Sequence, residues 1–258
     1  MKSSPLYLAL FLTLSIFSPL LLAKEKSPST PIGWKMPDNS SLLMAIPAPP
    51  GTGSAAEKAD VDGVLAMQNN ASPETLAHAE QTVEFTIFSF SEVLGPDFTA
   101  ETRPKTSEFF ARLETTANQQ KNFLKDFYHR IRPYRAFPDQ IKALVTKEDG
   151  CSYPSGHSTR AWLYALVLGA LDQTHRSDYL SLAMQVCQDR VIGGMHYPSD
   201  VLESRVLAEE IFRDLLENKA FMADLSKLHE EEWVLQSADK KTVKKVPVVE
   251  LLEKPAFR

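Results

Sequence analysis

Apolar residues recur along most of the chain at intervals of three and four, the spacing of amphipathic α-helices. From Ala55 onward this pattern predicts helices at Ser72–Leu94, Pro104–Ile131, Pro138–Val145, Ser177–Ile192, Ser199–Leu216 and Phe221–Val234. A further run, Ala161–Leu171, is apolar on every side and too short to cross a bilayer, which indicates a helix buried in the core. We find no run with the alternating pattern of a β-strand. The sequence therefore predicts an all-α protein with a single compact helical domain.

The N-terminus has a different pattern from the rest of the chain. Lys2 gives a positive start, and Leu6–Leu22 is apolar. Ala23 then offers a cleavage point, so the pattern predicts a signal peptide at residues 1–23. A single N-terminal membrane anchor is the alternative, because the apolar run is close to the shortest that spans a bilayer. The signal peptide predicts a periplasmic or secreted protein, with no stable membrane insertion after cleavage.

The amino-acid composition and the apolar pattern divide the remainder of the chain into an arm, a helical domain and a tail. Residues 24–54 are rich in Pro, Ser and Gly, which predicts an extended N-terminal arm over the surface. Residues 55–235 form the predicted helical domain, and residues 236–258 form a C-terminal tail. The chain has 28 Lys and Arg against 33 Asp and Glu, a net charge of -5, so no nucleic-acid partner is expected. Two cysteines, Cys151 and Cys187, are too few for a clustered metal site, and no metal or other cofactor is expected.

The stretch Tyr153–Ser158 leads from a loop into the predicted core helix. At a helix N-terminus the first backbone N–H groups lack partners, and the helix dipole favours negative charge. Gly156 allows close approach, Ser155 adds a hydroxyl donor, and His157 lies at the rim. These features indicate an anion site, with phosphate as the obvious candidate. An ordinary capped helix start is the alternative.

Two cations precede this stretch. Lys125 and Arg132 are seven residues apart, nearly two helical turns, so both are predicted to project from one face of the helix Pro104–Ile131. The alternative is a solvent-exposed basic face that also includes Lys121, Arg130 and Arg135.

Three more candidates surround the connection between two later helices. Arg190 also fits the basic end of a helix, and His196 also fits a surface loop. Asp200, followed three residues later by Glu203, also resembles a capping box. The remaining histidines are not predicted to be catalytic: His78, His129, His175 and His229.

The order of these candidates is more specific than any one of them. They form three motifs, Lys125 with Arg132-Pro133, then Pro154-Ser155-Gly156-His157, then Arg190 with His196 and Asp200. This order resembles the type-2 phosphatidic acid phosphatase and vanadium haloperoxidase superfamily. The flanking segments Tyr128–Pro133, Ser152–His157 and Arg190–Asp200 are similar to those of the class A bacterial nonspecific acid phosphatases. The resemblance covers roughly Ile46 to Glu232.

The resemblance implies a fold, an activity and a role for each residue. It implies the helical fold of the superfamily and broad hydrolysis of small-molecule phosphate monoesters, without a metal, through a phosphohistidine. His196 would be the nucleophile, Asp200 would orient it, and His157 would be the general acid and base. The implied phosphate-binding residues are Lys125, Arg132, Ser155, Gly156 and Arg190. Inhibition by vanadate and a homodimer are further implications.

Other functions remain open at this stage. A vanadium-dependent haloperoxidase would bind vanadate in the same place, although the flanking segments and the modest length argue against it. A membrane lipid phosphatase would need several spanning helices, which the pattern after Ala23 does not predict. A non-catalytic phosphate-binding protein would not require the complete set His157, His196 and Asp200.

Two further expectations follow from the resemblance. If Ser155 and Arg190 contact one phosphate, their segments converge, and a disulfide between Cys151 and Cys187 is expected. Two unpaired cysteines that pack as small hydrophobic residues are the alternative. Asp189 stands where the family usually has Ser; it steadies Arg190, weakens phosphate binding or faces away.

Overall fold

The computed structural model describes residues 33–36 and 39–234, and every regular element in these ranges is helical. The all-α prediction is confirmed. The predicted signal peptide and the tail from residue 236 onward lie outside the described ranges. Within those ranges, no helix has the length and apolarity needed to cross a membrane. The α-helices are α1 Ser40–Ala45, α2 Ala55–Asn69, α3 Pro73–Gln81, α4 Ser91–Leu94, α5 Pro104–Tyr128, α6 Pro133–Ala136, α7 Gly156–Leu171, α8 Arg176–Ile192, α9 Pro198–Glu217 and α10 Lys219–Leu228.

Helix α7 forms the centre of the core and packs against α8, α9 and α5. The predicted core helix Ala161–Leu171 is confirmed, but α7 begins five residues earlier, at Gly156. It begins there because Ser155 is the N-cap: the Ser155 hydroxyl accepts a hydrogen bond from the Ser158 backbone N–H at 3.3 Å. The motif that the sequence indicated therefore lies at the N-terminus of the most buried helix.

Helix α5 ends earlier than its apolar pattern predicts. The helix stops at Tyr128, and His129 adopts the left-handed conformation with φ 50°. Arg132 is extended, with ψ 147°, as is usual for a residue before proline. The prediction that Lys125 and Arg132 share one helical face is therefore wrong, because Arg132 lies outside the helix.

The predicted helix Ser72–Leu94 is also interrupted. After α3, the chain forms two short 3₁₀ turns, Thr82–Glu84 and Ile87–Phe90, before α4. Phe85 and Phe90 are both fully buried in the core, a spacing that one continuous helix does not place on a single face. The break leaves backbone carbonyls near Thr82 without helical partners. The predicted helix Pro138–Val145 is absent from the structure; a single short turn, α6, precedes that segment instead.

The predicted N-terminal arm is not simply a surface segment. Trp34, Leu42 and Ile46 are buried in the main hydrophobic core, and residues 40–45 form α1. The Trp34 indole N–H donates to the Asp224 carboxylate at 3.0 Å, and its ring lies 5.0 Å from that of Phe109. The apolar residues between the prolines account for this packing, since each removes surface from water.

A two-glycine turn joins α8 to the segment that carries His196. Gly194 has φ 74°, and a Cβ atom there would lie 2.2 Å from the Lys142 carbonyl oxygen. The Gly193 carbonyl accepts from the Leu144 N–H at 3.0 Å, and the Gly194 carbonyl from the Tyr134 N–H at 3.3 Å. Glycine at 194 is required because any side chain would meet the neighbouring backbone.

Candidate active site

Two segments of the chain line a cleft of about 650 Å³, and a third lies behind it, in contact with the cleft residue Glu148. They are the end of α5 with the residues after it, the loop that leads into α7, and the connection between α8 and α9. The cleft is lined by residues that include Lys121, Lys125, Arg132, Glu148, Gly156, His157 and Arg160. Arg190 and His196 lie against its inner end, where both are within 4.0 Å of Glu148. We call the group Lys125, Arg132, Gly156, His157, Arg190 and His196 the anion cradle.

His196 is completely buried, and its hydrogen-bond partners assign its tautomer. Arg132 Nη1 lies 3.0 Å from Nε2 of His196, and since a guanidinium only donates, Nε2 is unprotonated. Nδ1 lies 3.4 Å from Oδ2 of Asp200 and therefore carries the proton. Burial and the charge of Arg132 lower the pKa of His196 to about 4, so the ring is neutral at higher pH. The lone pair of Nε2 thus accepts from Arg132, and the same nitrogen lies 4.0 Å from the Glu148 carboxylate at the inner end of the cleft.

Asp200 is the acceptor that fixes His196. Its carboxylate accepts from the Ser152 hydroxyl and from the Tyr197 backbone N–H at 2.9 Å. Arg130 Nη1 donates to its second oxygen at 2.6 Å. Burial by itself would raise the pKa of Asp200, but the hydrogen bond from His196 and the charge of Arg130 hold the pKa below its ordinary value. Asp200 therefore remains ionised while fully enclosed.

The support for Asp200 continues to a residue far away in the sequence. Arg130 Nη2 donates to Asp60 of α2 at 2.7 Å, and its guanidinium lies 3.8 Å from the centre of the Tyr197 ring. The sequence did not indicate Asp60, which has no motif around it, and it grouped Arg130 with a solvent-exposed basic face. Arg130 is in fact 8% exposed and is enclosed by its partners. Buried arginines are stable only with such partners.

Lys125 and Arg132 meet at the cleft despite the early end of α5. Lys125 Nζ donates to the Cys151 carbonyl oxygen, and Arg132 donates to the carbonyls of Gly150 at 3.2 Å and Asp149 at 2.9 Å. Burial, together with the charges of Arg132 and Lys121, lowers the pKa of Lys125 to about 7. Lys125 can therefore lose its charge near neutral pH.

Arg190 is held by two groups at the break after α3, one backbone carbonyl and one side-chain hydroxyl. Its Nη2 donates to the Ala79 carbonyl and, at 2.7 Å, to the Thr82 hydroxyl. Asp189 lies behind this contact, with Oδ2 3.0 Å from the Thr82 hydroxyl and 2.9 Å from Nδ1 of His78. Asp189 thus supports Arg190 through Thr82 and does not enter the cleft.

The three residues Ser155, Gly156 and His157 at the start of α7 have different positions relative to the cleft. Ser155 is buried, and its hydroxyl serves as the helix cap described above. Gly156 lines the cleft where a Cβ atom would lie 3.1 Å from Cδ of Lys121. Nε2 of His157 lies 2.9 Å from the Val83 carbonyl oxygen, which can only accept, so Nε2 is protonated and Nδ1 faces the cleft. Burial shifts the pKa of His157 well below its ordinary value.

Glu148 is bound by residues of the anion cradle, and the sequence did not indicate it. Its carboxylate lies 3.1 Å from Arg132 Nη2, 3.3 Å from His157 Nδ1 and 3.5 Å from Arg190 Nη1. Nε2 of His196 is 4.0 Å away. The only signal in the sequence is its place in an acidic pair seven residues before Ser155, and such pairs are common on exposed loops.

The predicted disulfide is not present: Cys151 and Cys187 are both free thiols. Cys187 is a buried residue of α8, and its sulfur accepts from the Trp162 indole N–H at 3.1 Å. Cys151 lies at the cleft, with its sulfur 4.0 Å from Nδ1 of His129. The segments that bear Ser155 and Arg190 do converge, since His157 and Arg190 both contact Glu148, but the two cysteine sulfurs contact different residues. The alternative of two unpaired cysteines is therefore the one observed.

Comparison with known proteins agrees with the motif order. Residues 113–212 match the PAP2 superfamily. The chain is 29% identical over 230 residues to a non-specific acid phosphatase of Salmonella typhimurium, covering 84% of this chain and 91% of that protein. It is 27% identical over 199 residues to a non-specific acid phosphatase of Providencia stuartii, covering 73% and 79% of the two chains. The crystal structure of a transmembrane PAP2 type phosphatidylglycerolphosphate phosphatase from Bacillus subtilis has 22% identity and a TM-score of 0.48, and covers 66% of this chain and 87% of its own.

Proposed function

We propose that the chain, whose residues 113–212 match the PAP2 superfamily, is an acid phosphatase that hydrolyses phosphate monoesters through a phosphohistidine at His196. The observation that carries the proposal is the tautomer of His196. Its unprotonated Nε2 lies 3.0 Å from Arg132 and 4.0 Å from Glu148, beside the cationic side chains Lys125 and Arg190, while Asp200 faces Nδ1 at 3.4 Å. The similar proteins from Salmonella and Providencia, named non-specific acid phosphatases, support the same reaction class.

The first step is attack on the bound ester. The cations of the cradle bind the phosphate oxygens and take up the charge of the transition state. The lone pair of His196 Nε2 forms a bond to phosphorus as the bond from phosphorus to the ester oxygen breaks. Asp200 stabilises the positive charge that the His196 ring acquires. Preorganised charges of this kind are often the largest contribution to catalysis.

The leaving oxygen and the attacking water both need a proton carrier. His157 is placed for this role, because Nε2 is fixed by the Val83 carbonyl and Nδ1 faces the cleft. Protonated His157 gives the Nδ1 proton to the leaving alcohol. Neutral His157 then takes a proton from the water that attacks phosphorus, and the bond to His196 breaks as phosphate is released. A bound dianion favours protonated His157 and so opposes the effect of burial on its pKa.

We also propose that no metal ion takes part and that the enzyme is exported. Three cationic side chains and the N-terminus of α7 supply the charge that a metal would otherwise provide. Export follows from the signal-peptide pattern of residues 1–23. A trigonal-bipyramidal oxyanion fits the same cradle, so vanadate is expected to inhibit.

Hydrolysis of a panel of phosphomonoesters and phosphodiesters, with and without a chelator, tests the proposed reaction. We expect release of phosphate from several monoesters at an unchanged rate after treatment with EDTA, and inhibition of that release by vanadate. Loss of activity with EDTA and its return with a divalent cation would contradict metal independence. Bromide oxidation with vanadate and peroxide, in the absence of phosphatase activity, would indicate a haloperoxidase instead.

The pKa values of His196 and Lys125 predict the pH dependence of kcat/KM, which reports on the free enzyme. His196 must be neutral to attack, so activity is expected to fall as the pH drops through about 4. Lys125 must be charged to bind phosphate and His157 must be protonated to act as the acid, so activity is expected to fall as the pH rises toward and through about 7. Lys125→Arg should keep its charge and move the alkaline limb upward by about one pH unit or more.

The matched control for the pH profile is Lys147→Arg, because Lys147 is an exposed lysine in the same region. It should reproduce the wild-type alkaline limb. An alkaline limb that is identical in wild type, Lys125→Arg and Lys147→Arg would show that another group controls it.

A further inference from the structure

The carboxylate of Glu148 occupies the position where the cradle would bind a phosphate group. It lies within 3.5 Å of Arg132, His157 and Arg190, each of which projects from a different part of the chain. Nε2 of His196, the proposed attacking atom, is 4.0 Å from the same carboxylate. A carboxylate bound to two arginines has the geometry that an oxyanion would adopt there.

The charges around Glu148 favour its ionised form strongly. Burial alone would raise the pKa of this carboxyl, but the surrounding His196, His157, Arg132 and Arg190 hold it well below its ordinary value. Lys121 and Lys125 add to the positive field from α5. A carboxylate so stabilised cannot share the cradle with a phosphate dianion, because like charges at this distance repel.

The backbone around Glu148 is fixed, so the exchange requires only its side chain. The Glu148 carbonyl accepts from the Tyr134 hydroxyl at 3.0 Å, and the next two carbonyls accept from Arg132. The cleft beside it is open enough for a rotated carboxylate, since Glu148 itself lines the cleft and its side chain is 19% exposed.

We propose that Glu148 is an internal ligand of the anion cradle and sets its affinity for phosphate. Each substrate displaces the carboxylate, and the carboxylate returns as phosphate leaves. The inference rests on the proposed function for its place in turnover, while the competition itself requires only that the cradle binds oxyanions. An internal competitor weakens the binding of every oxyanion by the same factor. KM for a phosphomonoester and the inhibition constant for phosphate are therefore expected to change together. If Glu148 fills the cradle nine-tenths of the time, the apparent Kd is about tenfold above its intrinsic value.

Binding of inorganic phosphate, measured by titration calorimetry at pH 6, tests the proposal without any need for catalysis, because Lys125 is charged and Glu148 is ionised at that pH. We expect Glu148→Gln to bind phosphate about tenfold more tightly than wild type, and Glu148→Ala to bind it more tightly as well. Asp149→Asn is the matched control, because the neighbouring Asp149 carboxylate is fully exposed and pairs with Arg135 outside the cradle. It should bind phosphate with the wild-type Kd.

Kinetics on the same variants complete the test. For Glu148→Gln, KM for a phosphomonoester and the inhibition constant for phosphate should fall by the same factor as the Kd. Unchanged or weaker phosphate binding in both Glu148→Gln and Glu148→Ala would overturn the internal ligand. Tighter binding in both variants, with no hydrolysis by wild type, would support the internal ligand and overturn the proposed phosphatase. No phosphate binding by wild type or variants would overturn both.

Discussion

Replacing His196 by alanine is expected to lower kcat for phosphomonoesters by about 10⁴-fold or more. Losses of this size are typical when the nucleophile is removed from a set of catalytic residues that act together. The variant retains the three cations of the cradle and the α7 N-terminus, so phosphate binding should remain. Among the described residues at the cleft, the other unprotonated ring nitrogen is Nδ1 of His157, which lies 3.3 Å from Glu148. That nitrogen is assigned to proton transfer, so it is not expected to replace Nε2 of His196 as the nucleophile. The measurement is steady-state hydrolysis of p-nitrophenyl phosphate by folded protein.

The control for this variant is His175→Ala. His175 pairs with Asp172 at 2.6 Å at the end of α7 away from the cleft, so its removal should leave kcat unchanged. A His196→Ala enzyme with kcat within tenfold of wild type would show that another residue forms the bond to phosphorus.

Replacing Asp200 by asparagine is expected to lower kcat by about 10³-fold or more, although the shape of the side chain is retained. The amide carries no charge to stabilise His196 when phosphorus is bound. It also allows the His196 ring to hold its proton on Nε2, which removes the attacking lone pair. Arg130 loses a buried anionic partner at 2.6 Å, so a lower Tm is expected as well.

A second aspartate of α9 supplies the comparison for Asp200→Asn. Asp214 lies on the same helix, four turns further along, and does not line the cleft. Asp214→Asn should retain wild-type kcat. A large loss of Tm in Asp200→Asn with kcat near the wild-type value would mean that Asp200 only stabilises the fold.

Most of the residues that the sequence predicted for the site lie close together in the structure, but their geometry differs from the predicted one. Lys125 and Arg132 were predicted to share a helical face, yet they meet because α5 ends at Tyr128 and the chain turns at His129. The apolar pattern continues past this turn, so periodicity alone could not place the end of the helix. The residue before Pro133 is extended for a local steric reason, which the sequence does show.

The residues that support the site were beyond the reach of sequence patterns. Asp60 contacts Arg130 across seventy positions of the chain, and Thr82 reaches Arg190 only because α3 breaks. Such contacts depend on tertiary packing and leave no local signal. Glu148 was missed for a related reason, because an acidic residue on a loop usually faces solvent.

The predicted disulfide between Cys151 and Cys187 is absent because the two sulfurs contact different residues. Ser155 and Arg190 do lie on segments that meet, but Cys187 packs against Trp162 and Cys151 lies at the cleft. A disulfide requires specific Cβ directions as well as proximity, and spacing in the sequence contains no information on those directions.

Rapid quenching of the enzyme with a ³²P-labelled phosphomonoester, followed by identification of the labelled peptide, tests the central claim most directly. We expect an acid-labile, base-stable label on the peptide that contains His196, with more label in His157→Ala when the leaving group is good and none in His196→Ala. Label on any other residue, or undiminished label in His196→Ala, would contradict the phosphohistidine mechanism.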